Sequence, residues 1–341
     1  MYKIKLFQEF KDYEWNKIVL KLEGDFNYTS YFLNYQIILL TNNSIKNLSF
    51  IVSDELDNPL CLSVLFIENF DSQTQISRGG ETIPFPLISN KLDENEKKNI
   101  LDYVFEHIEN IIKLQNVKNI KIRTPLIKEN FDYNYYEEFL KYNSFKLLKT
   151  NLNWMTLKSS TFAVIDLFKK DLKFRRSYRS YINQSEKKLK LIVIDNENFQ
   201  KENFENYSKF HNENKINKRS EKVFLANKSL ILANTQAIFL CEYESQIIGS
   251  VVINYFNKNA FYQSSVNKKL INRKIYPNHF LLKKSIEYLK EKKIKYFILG
   301  EIISKYEKLE KFTDKEINIS FFKTGWGSDI FISKKFEKNL N

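Results

Sequence analysis

The chain alternates between two hydrophobic periods, one helical and one of two residues, and the order in which they alternate occurs twice. In the first half, helical spacing around Trp15 to Leu22 and Tyr31 to Leu40 gives way to two strand-like runs, LSFIV (48–52) and PLCLSVLFI (59–67). The polar stretch from Asp54 to Asn58 between them reads as a hairpin connection. A short strand near Gln75 to Ser77 leads into the loop RGGETIPFP (78–86). A helix from about Asp93 to Leu114 follows, with Ile100, Tyr103, Val104, His107, Ile108, Ile111 and Ile112 on one face, and then the strand VKNIKIRTP (117–125). A short helix near Tyr135 to Tyr142 and strands to about Leu157 close this half.

The second half has the same order. A helix near Phe204 to Asn212 precedes the hairpin AIFLCEY (237–243) and IIGSVVINYF (247–256), joined by Glu244 to Gln246. AFYQSSV (260–266) then passes through a basic loop into the helix PNHFLLKKSIEYLKEKK (277–293) and the strand IKYFILGEI (294–302). The offset between halves is nearly constant: Cys61 and Cys241 stand 180 positions apart, Lys118 and Ile294 176. Two copies of one α/β unit explain this, and a chain of 341 residues suits two domains, 1–160 and 161–341. Between the cores lies a predicted helix from about Leu172 to Lys188, in which Tyr178, Tyr181 and Ile182 have the spacing of a buried stripe.

Composition narrows the function classes. The net charge is +13, but only seven of the 54 basic residues are Arg. Bidentate phosphate or base readout prefers Arg, so a Lys-rich surface alone does not make a nucleic-acid-binding protein. Arg175, Arg176 and Arg179 are different, because three of the seven arginines fall within five positions. They are candidates to hold an anionic substrate. The two cysteines lie in apolar runs without a metal-ligand neighbour, and the three histidines are scattered, which fits a reduced compartment and no metal site. No apolar leader or run long enough to span a bilayer is present, so a cytoplasmic location is expected.

No nucleophile triad, Walker loop or GxGxxG occurs. Glycines instead gather late: Gly300 ends a predicted strand, and Gly325 and Gly327 flank Trp326 in FFKTGWGS (321–328). Strand ends are where open α/β sheets place their sites, and glycine there lets a ligand approach. The helix opening at Pro277 follows Arg273 and Lys274, and its N-terminus, with Asn278 in the first turn, is a candidate seat for a phosphate or pyrophosphate.

The run KFRRSYRSYINQSEKKLKLIVI, then FHNENKINKRSE (210–221), IIGSVVINYFNKNAFYQSS, the 277–302 segment and INISFFKTGWGS resemble, in this order, the FemAB-type acyltransferases. These are tandem GNAT-like proteins that include peptidoglycan-bridge aminoacyltransferases and acyltransferases of envelope glycan clusters. The resemblance implies an α/β fold of two tandem GNAT-like domains, each a mixed, mostly antiparallel sheet flanked by helices. It matches the family's Phe-Lys pair to Phe322 and Lys323, the lysine stabilising charge on the acyl group as it becomes tetrahedral. Tyr262 and Ser264 become candidates to orient donor or acceptor, Arg219 joins the 175–179 arginines as a phosphate ligand, and Glu301 or His211 is a candidate general base.

The glycine-containing pyrophosphate loop of ordinary GNAT enzymes is missing from 266–278, and 196–236 is too short for the long helical arm common in tRNA-dependent relatives. The implied activity is transfer of an acyl or aminoacyl group, from acyl-CoA in the favoured case or aminoacyl-tRNA, to an amine on a sugar, nucleotide-sugar or cell-envelope precursor. The alternative is a non-catalytic basic RNA-binding or scaffolding protein with a degenerate GNAT-like cleft.

Overall fold

A computed structural model describes residues 2–40, 44–126, 133–148, 159–215, 218–268, 274–303 and 312–340. The chain divides into two compact units, Met1–Ser160 with Phe331–Asn341 and Thr161–Ile330. The C-terminal segment thus groups with the first unit.

The first unit runs β1 (Lys3–Leu6), α1 (Asp12–Lys21), α2 (Ser30–Leu39), β2 (Lys46–Asn47), β3 (Phe50–Ser53), β4 (Pro59–Ser63), β5 (Phe66–Phe70), β6 (Gln73–Ile76), β7 (Ile83–Pro84), β8 (Leu87–Ile88), α3 (Glu94–Gln115), β9 (Asn119–Arg123), α4 (Tyr133–Tyr142) and β10 (Lys146–Leu147). Strands β1-β3-β4-β8 form one antiparallel sheet, and β2-β5-β6-β9 belong to another. The apolar run at 59–67 is therefore two strands in two sheets. α3 starts on a capping box, with Asp93 accepting from the Glu96 N–H and Glu96 reaching back, and stops at Asn116 in the left-handed region, φ 51°. Its face Ile100, Leu101, Val104, Phe105 and Ile108 is buried.

The second unit runs β11 (Ser159–Asp166), α5 (Arg176–Glu186), β12 (Lys190–Ile194), α6 (Lys201–Asn214), α7 (Glu221–Leu232), β13 (Gln236–Tyr243), β14 (Gln246–Phe256), β15 (Asn259–Asn267), α8 (Pro277–Glu291), β16 (Tyr296–Ile302), α9 (Asp314–Thr324) and the start of β17 (Asp329–Asn339). Its sheet has the order β12-β13-β14-β15-β16-β11, antiparallel throughout except for β15 beside β16. Period-two alternation sorts the strand side chains between faces. Val251, Ile253 and Tyr255 join Tyr178 and Ile182 of α5 and Phe280, Leu281 and Ile286 of α8. Val252 instead joins Ile238 and Leu240 against Phe204 and Tyr207 of α6 and Phe224 and Ile231 of α7.

Each unit is a mixed, mostly antiparallel α/β assembly built around a strand, a helix and a parallel strand: β6-α3-β9 in the first, β15-α8-β16 in the second. Two expectations change. The interval 196–236 holds two helices, α6 and α7. The helix expected from Leu172 begins at Arg176, because the Arg175 N–H bonds the Gly325 carbonyl at 2.8 Å and Arg175 keeps extended ψ 137°. A tertiary hydrogen bond there outweighs local helix propensity.

Candidate functional site

The two parallel pairings differ beyond their paired positions. In the first unit β6 meets β9 only at Gln75↔Asn119 and Ile76↔Ile120, and β7 then takes over the same edge with Ile83↔Ile122 and Pro84↔Arg123. The opposite edge of β9 is occupied by β17 over Lys335–Asn339. In the second unit β15 meets β16 at three pairs, Asn259↔Tyr296, Ala260↔Phe297 and Phe261↔Ile298. β15 continues to Asn267 and β16 to Ile302, while β11 holds the other edge of β16 as far as Ile302. Among the described residues no strand takes the place that β7 fills in the first unit. The second copy has an open wedge between two parallel strands, and the first copy closes its own.

Lys323 lies in the last turn of α9, beside the part of β16 that runs on past its pairing with β15. Its Nζ donates to the Glu301 carbonyl at 2.7 Å. The chain makes room for it at Gly300, where φ is +94° and a Cβ would come within 3.1 Å of Nζ. Burial lowers the Lys323 ammonium to about 8, against the Glu301 carboxylate, which raises it. An ammonium has three donors; among the described residues, one is committed to Glu301 O.

Phe322 packs beside it in an aromatic cluster. Its ring lies 6.0 Å from Tyr178, 5.1 Å from His279 and 5.9 Å from Trp326. Trp326 is fully buried, and neither its Nε1 nor His279 Nε2 has a hydrogen-bond partner among the described residues. Burial lowers His279 to about 4, so the ring is neutral at ordinary pH. Sequence reading did not assign Tyr178, His279 or Trp326 to a site. The signal was the glycine pair around Trp326, but its meaning is packing. A Cβ on Gly325 would lie 2.4 Å from the Tyr178 ring, and one on Gly327, at φ +70°, 3.1 Å from the Lys173 backbone.

Tyr262 and Ser264 do not share a face as alternation would have it. A bulge between Val252 and Ile253 inserts Gln263, so Ser264 opposes Val252 and Tyr262 opposes Ile253. Tyr262 packs against the core that holds Phe322, and burial pushes its phenol up to about 12, opposed by a hydrogen bond with Ser265. Ser264 is on the other face, 3.5 Å from Arg219 Nη2.

Arg219, Ser264 and His211 do come together. Arg219 also donates to Tyr207 Oη at 3.2 Å, and Asn212 ties its backbone through both N–H (2.9 Å) and carbonyl (3.1 Å). His211 is buried against Tyr207 and Phe224, and burial and Arg219 lower it to about 4. Next to this group a cavity of about 540 Å3 opens between α6 and α7, with Phe199, Phe204 and Phe224 among its lining and four cations, Lys201, Lys209, Arg219 and Lys228, outnumbering Glu205 and Glu221.

The 175–179 arginines part company. Arg175 stacks 3.4 Å over the Phe321 ring and donates to Phe321 O at 3.0 Å, whereas Arg176 and Arg179 are exposed on α5. At α8, Pro277 occupies the first turn as expected, but Asn278 Oδ1 accepts from Asn267 Nδ2 at 2.5 Å. Lys274 is exposed at φ +49°, and Arg273 lies outside the described residues. No group of three His, Cys, Asp or Glu among the described residues is placed to hold a metal ion. Among them, too, no helix is long and apolar enough to cross a membrane.

No family model matches the sequence, and no curated protein matches it. Solved structures do share the fold. The crystal structure of FemX superposes with a TM-score of 0.73 at 12% identity, covering 99% of this chain and 98% of that one. A tandem GNAT protein from the clavulanic acid biosynthesis pathway gives 0.54 at 7% identity, with 99% and 98% covered. The C-terminal domain of a putative lysylphosphatidylglycerol synthetase from Agrobacterium fabrum gives 0.55 at 11% identity, with 96% and 92% covered. The chain has the tandem GNAT-like fold.

Proposed function

We propose that the chain is an acyl- or aminoacyltransferase whose reaction takes place in the second unit, at the open β15/β16 wedge beside Lys323. The observation that carries this reading is the asymmetry between the copies: the same parallel pair is closed by β7 in the first unit and left open next to a partly buried ammonium in the second.

In this reading an acceptor amine attacks the acyl carbonyl carbon, the carbonyl oxygen gains negative charge, and the thiolate or ribose oxygen of the donor leaves. Lys323 donates to that oxygen with N–H groups not used on Glu301 O. A preorganised donor of this kind, held out of water, contributes about 3–4 kcal/mol to the barrier reduction. The Glu301 carboxylate, whose charge is felt at Lys323, takes the proton released by the amine. Beyond their three paired positions β15 and β16 flank the wedge with backbone N–H and C=O groups that suit an extended, amide-bearing arm, as in strand addition. That suits acyl-CoA as donor, with aminoacyl-tRNA as the other class. Tyr262 packs the wall behind that edge.

Arg219, Ser264 and the α6/α7 cavity supply a positively charged, aromatic-floored place for an anionic acceptor such as a nucleotide-sugar or envelope precursor. His211, neutral and buried, supports the Asn212–Arg219 contact in this scheme. Arg176, Arg179 and Lys274 remain as solvent-side cations for donor phosphates, and Arg273 is a fourth candidate from sequence alone. The test is acyl transfer from labelled acyl-CoAs and a mixed aminoacyl-tRNA pool to amine-bearing sugars and envelope precursors. Turnover that disappears in Lys323→Ala supports the reading, and turnover unaffected by it removes the lysine from the mechanism.

A further inference from the structure

The last turn of any helix leaves its carbonyls without intrahelical partners and tends to fray. Lys323 sits in such a turn, on a flexible stem, and a general electrostatic catalyst must be held within about half an ångström of its place. Locally, Thr324 Oγ1 donates to Phe321 O at 3.2 Å and the Gly325 N–H to Phe322 O at 3.3 Å, long bonds that leave each carbonyl a lone pair for a second donor from outside α9. The structure supplies that from α5 and the residue before it.

Tyr178 Oη shares its one hydrogen between Phe322 O at 3.1 Å and Phe321 O at 3.3 Å, and accepts from Arg175 Nη1 at 3.2 Å. Arg175 Nη1 also donates to Phe321 O at 3.0 Å, its guanidinium lies 3.4 Å over the Phe321 ring, and its N–H closes on Gly325 O at 2.8 Å. The carbonyls on both sides of Lys323 are therefore tied down from another element, with a cation at the negative end of the helix. Gly325 is required by the same contact, since a Cβ there would stand 2.4 Å from Tyr178 Cε2. Tyr178 is 3% exposed and its ring touches Phe322, His279 and Trp326. Its hydroxyl is thus delivered by a packed core, not by a mobile surface chain.

We propose that Tyr178, backed by Arg175, is a positioning residue that clamps the C-terminal carbonyls of α9 and so holds Lys323 against Glu301 O. The clamp is a statement about the geometry of Lys323; its consequence for turnover rests on the acyltransfer reading above. Part of the arginine cluster that reads from sequence as an anion site is, on this view, a helix clamp.

The test is built so that the two can fail separately. Tyr178→Phe keeps the ring and removes only the hydroxyl. Competitive labelling of the folded protein with acetic anhydride across pH, followed by peptide mass mapping, reads the titration of Lys323 whether or not turnover is known. The clamp predicts that the midpoint, near 8 in the wild type, moves up by a unit or more in Tyr178→Phe as the side chain leaves its place, with a melting temperature within a few degrees of wild type. Gly325→Ala, which drives a methyl group into the Tyr178 ring from the helix side, should give the same shift. Where turnover is measurable, kcat should fall about tenfold with KM changed less than twofold. An unchanged Lys323 titration in both variants overturns the clamp. A shifted titration in a protein that transfers no acyl group would keep the clamp and discard the acyltransfer reading. Should Tyr178→Phe not fold, Gly325→Ala and Arg175→Lys, which loses the planar stack on Phe321, carry the same readout.

Discussion

Replacing Lys323 by methionine separates the effect of its charge on the fold from its effect on the reaction. Methionine keeps an unbranched stem and removes the ammonium. Burial lowers that ammonium from 10.5 to about 8, and at about 1.4 kcal/mol per unit this corresponds to roughly 3 kcal/mol of unfavourable charge burial at most. Partial exposure and the loss of the 2.7 Å bond to Glu301 O reduce the gain from its removal. The variant should therefore be as stable as wild type or up to about 2 kcal/mol more stable at neutral pH. The sign with pH is fixed: the unfolded chain holds its Lys323 proton up to 10.5 and the folded chain only to about 8. Wild-type stability should rise between those values, and the variant should lack that rise. Turnover should fall about a hundredfold to a thousandfold. Urea denaturation at neutral and alkaline pH, with transfer assays on the same samples, measures both. A variant destabilised by more than about 2 kcal/mol would mean that the ammonium is a structural element, and the reasoning from its burial would be refuted.

Other residues give independent checks. Gly300→Ala adds a Cβ 3.1 Å from Lys323 Nζ at a φ of +94° and should cost about 1–3 kcal/mol while displacing the lysine, read as lost stability together with a raised Lys323 titration. His211 and His279 are each lowered from 6.5 to about 4 by burial, so stability present above pH 6.5 should be lost as pH falls towards 4. His279→Phe should flatten part of that slope, by order of 1 kcal/mol, in acid melts. Arg219→Gln should raise the KM for an anionic acceptor about tenfold or more with little change in kcat; equal KM values would place the acceptor elsewhere. Buried Cys241, its thiol pushed up by burial, should resist thiol reagents until the chain unfolds.

The duplicated order of elements was legible because long amphipathic helices and alternating strands leave strong periods in the sequence. The α3 and α8 boundaries follow from an Asp93 cap and a proline at the first turn, both local signals. What escaped was set by contacts distant in sequence. One bulge between Val252 and Ile253 moves Tyr262 and Ser264 to opposite faces, and no residue in 260–266 announces it. The start of α5 depends on a bond from Arg175 to Gly325, across about 150 residues of chain. Lys323 ends a helix because Thr313 and Glu316 form a capping box that starts α9 upstream. The glycines around Trp326 looked like ligand clearance and instead admit the Tyr178 ring and the Lys173 backbone. Gly300 alone of the late glycines opens space at the lysine.

Acyl transfer at the second unit's wedge, under the charge of Lys323, is what we propose this chain performs. Its most direct test is single-turnover transfer of labelled acyl groups, from an acyl-CoA panel and a mixed aminoacyl-tRNA pool, by wild type and Lys323→Met at matched, verified folding. Transfer from at least one donor by wild type, and a rate at least about a hundredfold lower in the variant, is the expected result. Equal rates in the two proteins, or no transfer and no thermal stabilisation by any donor, would contradict it.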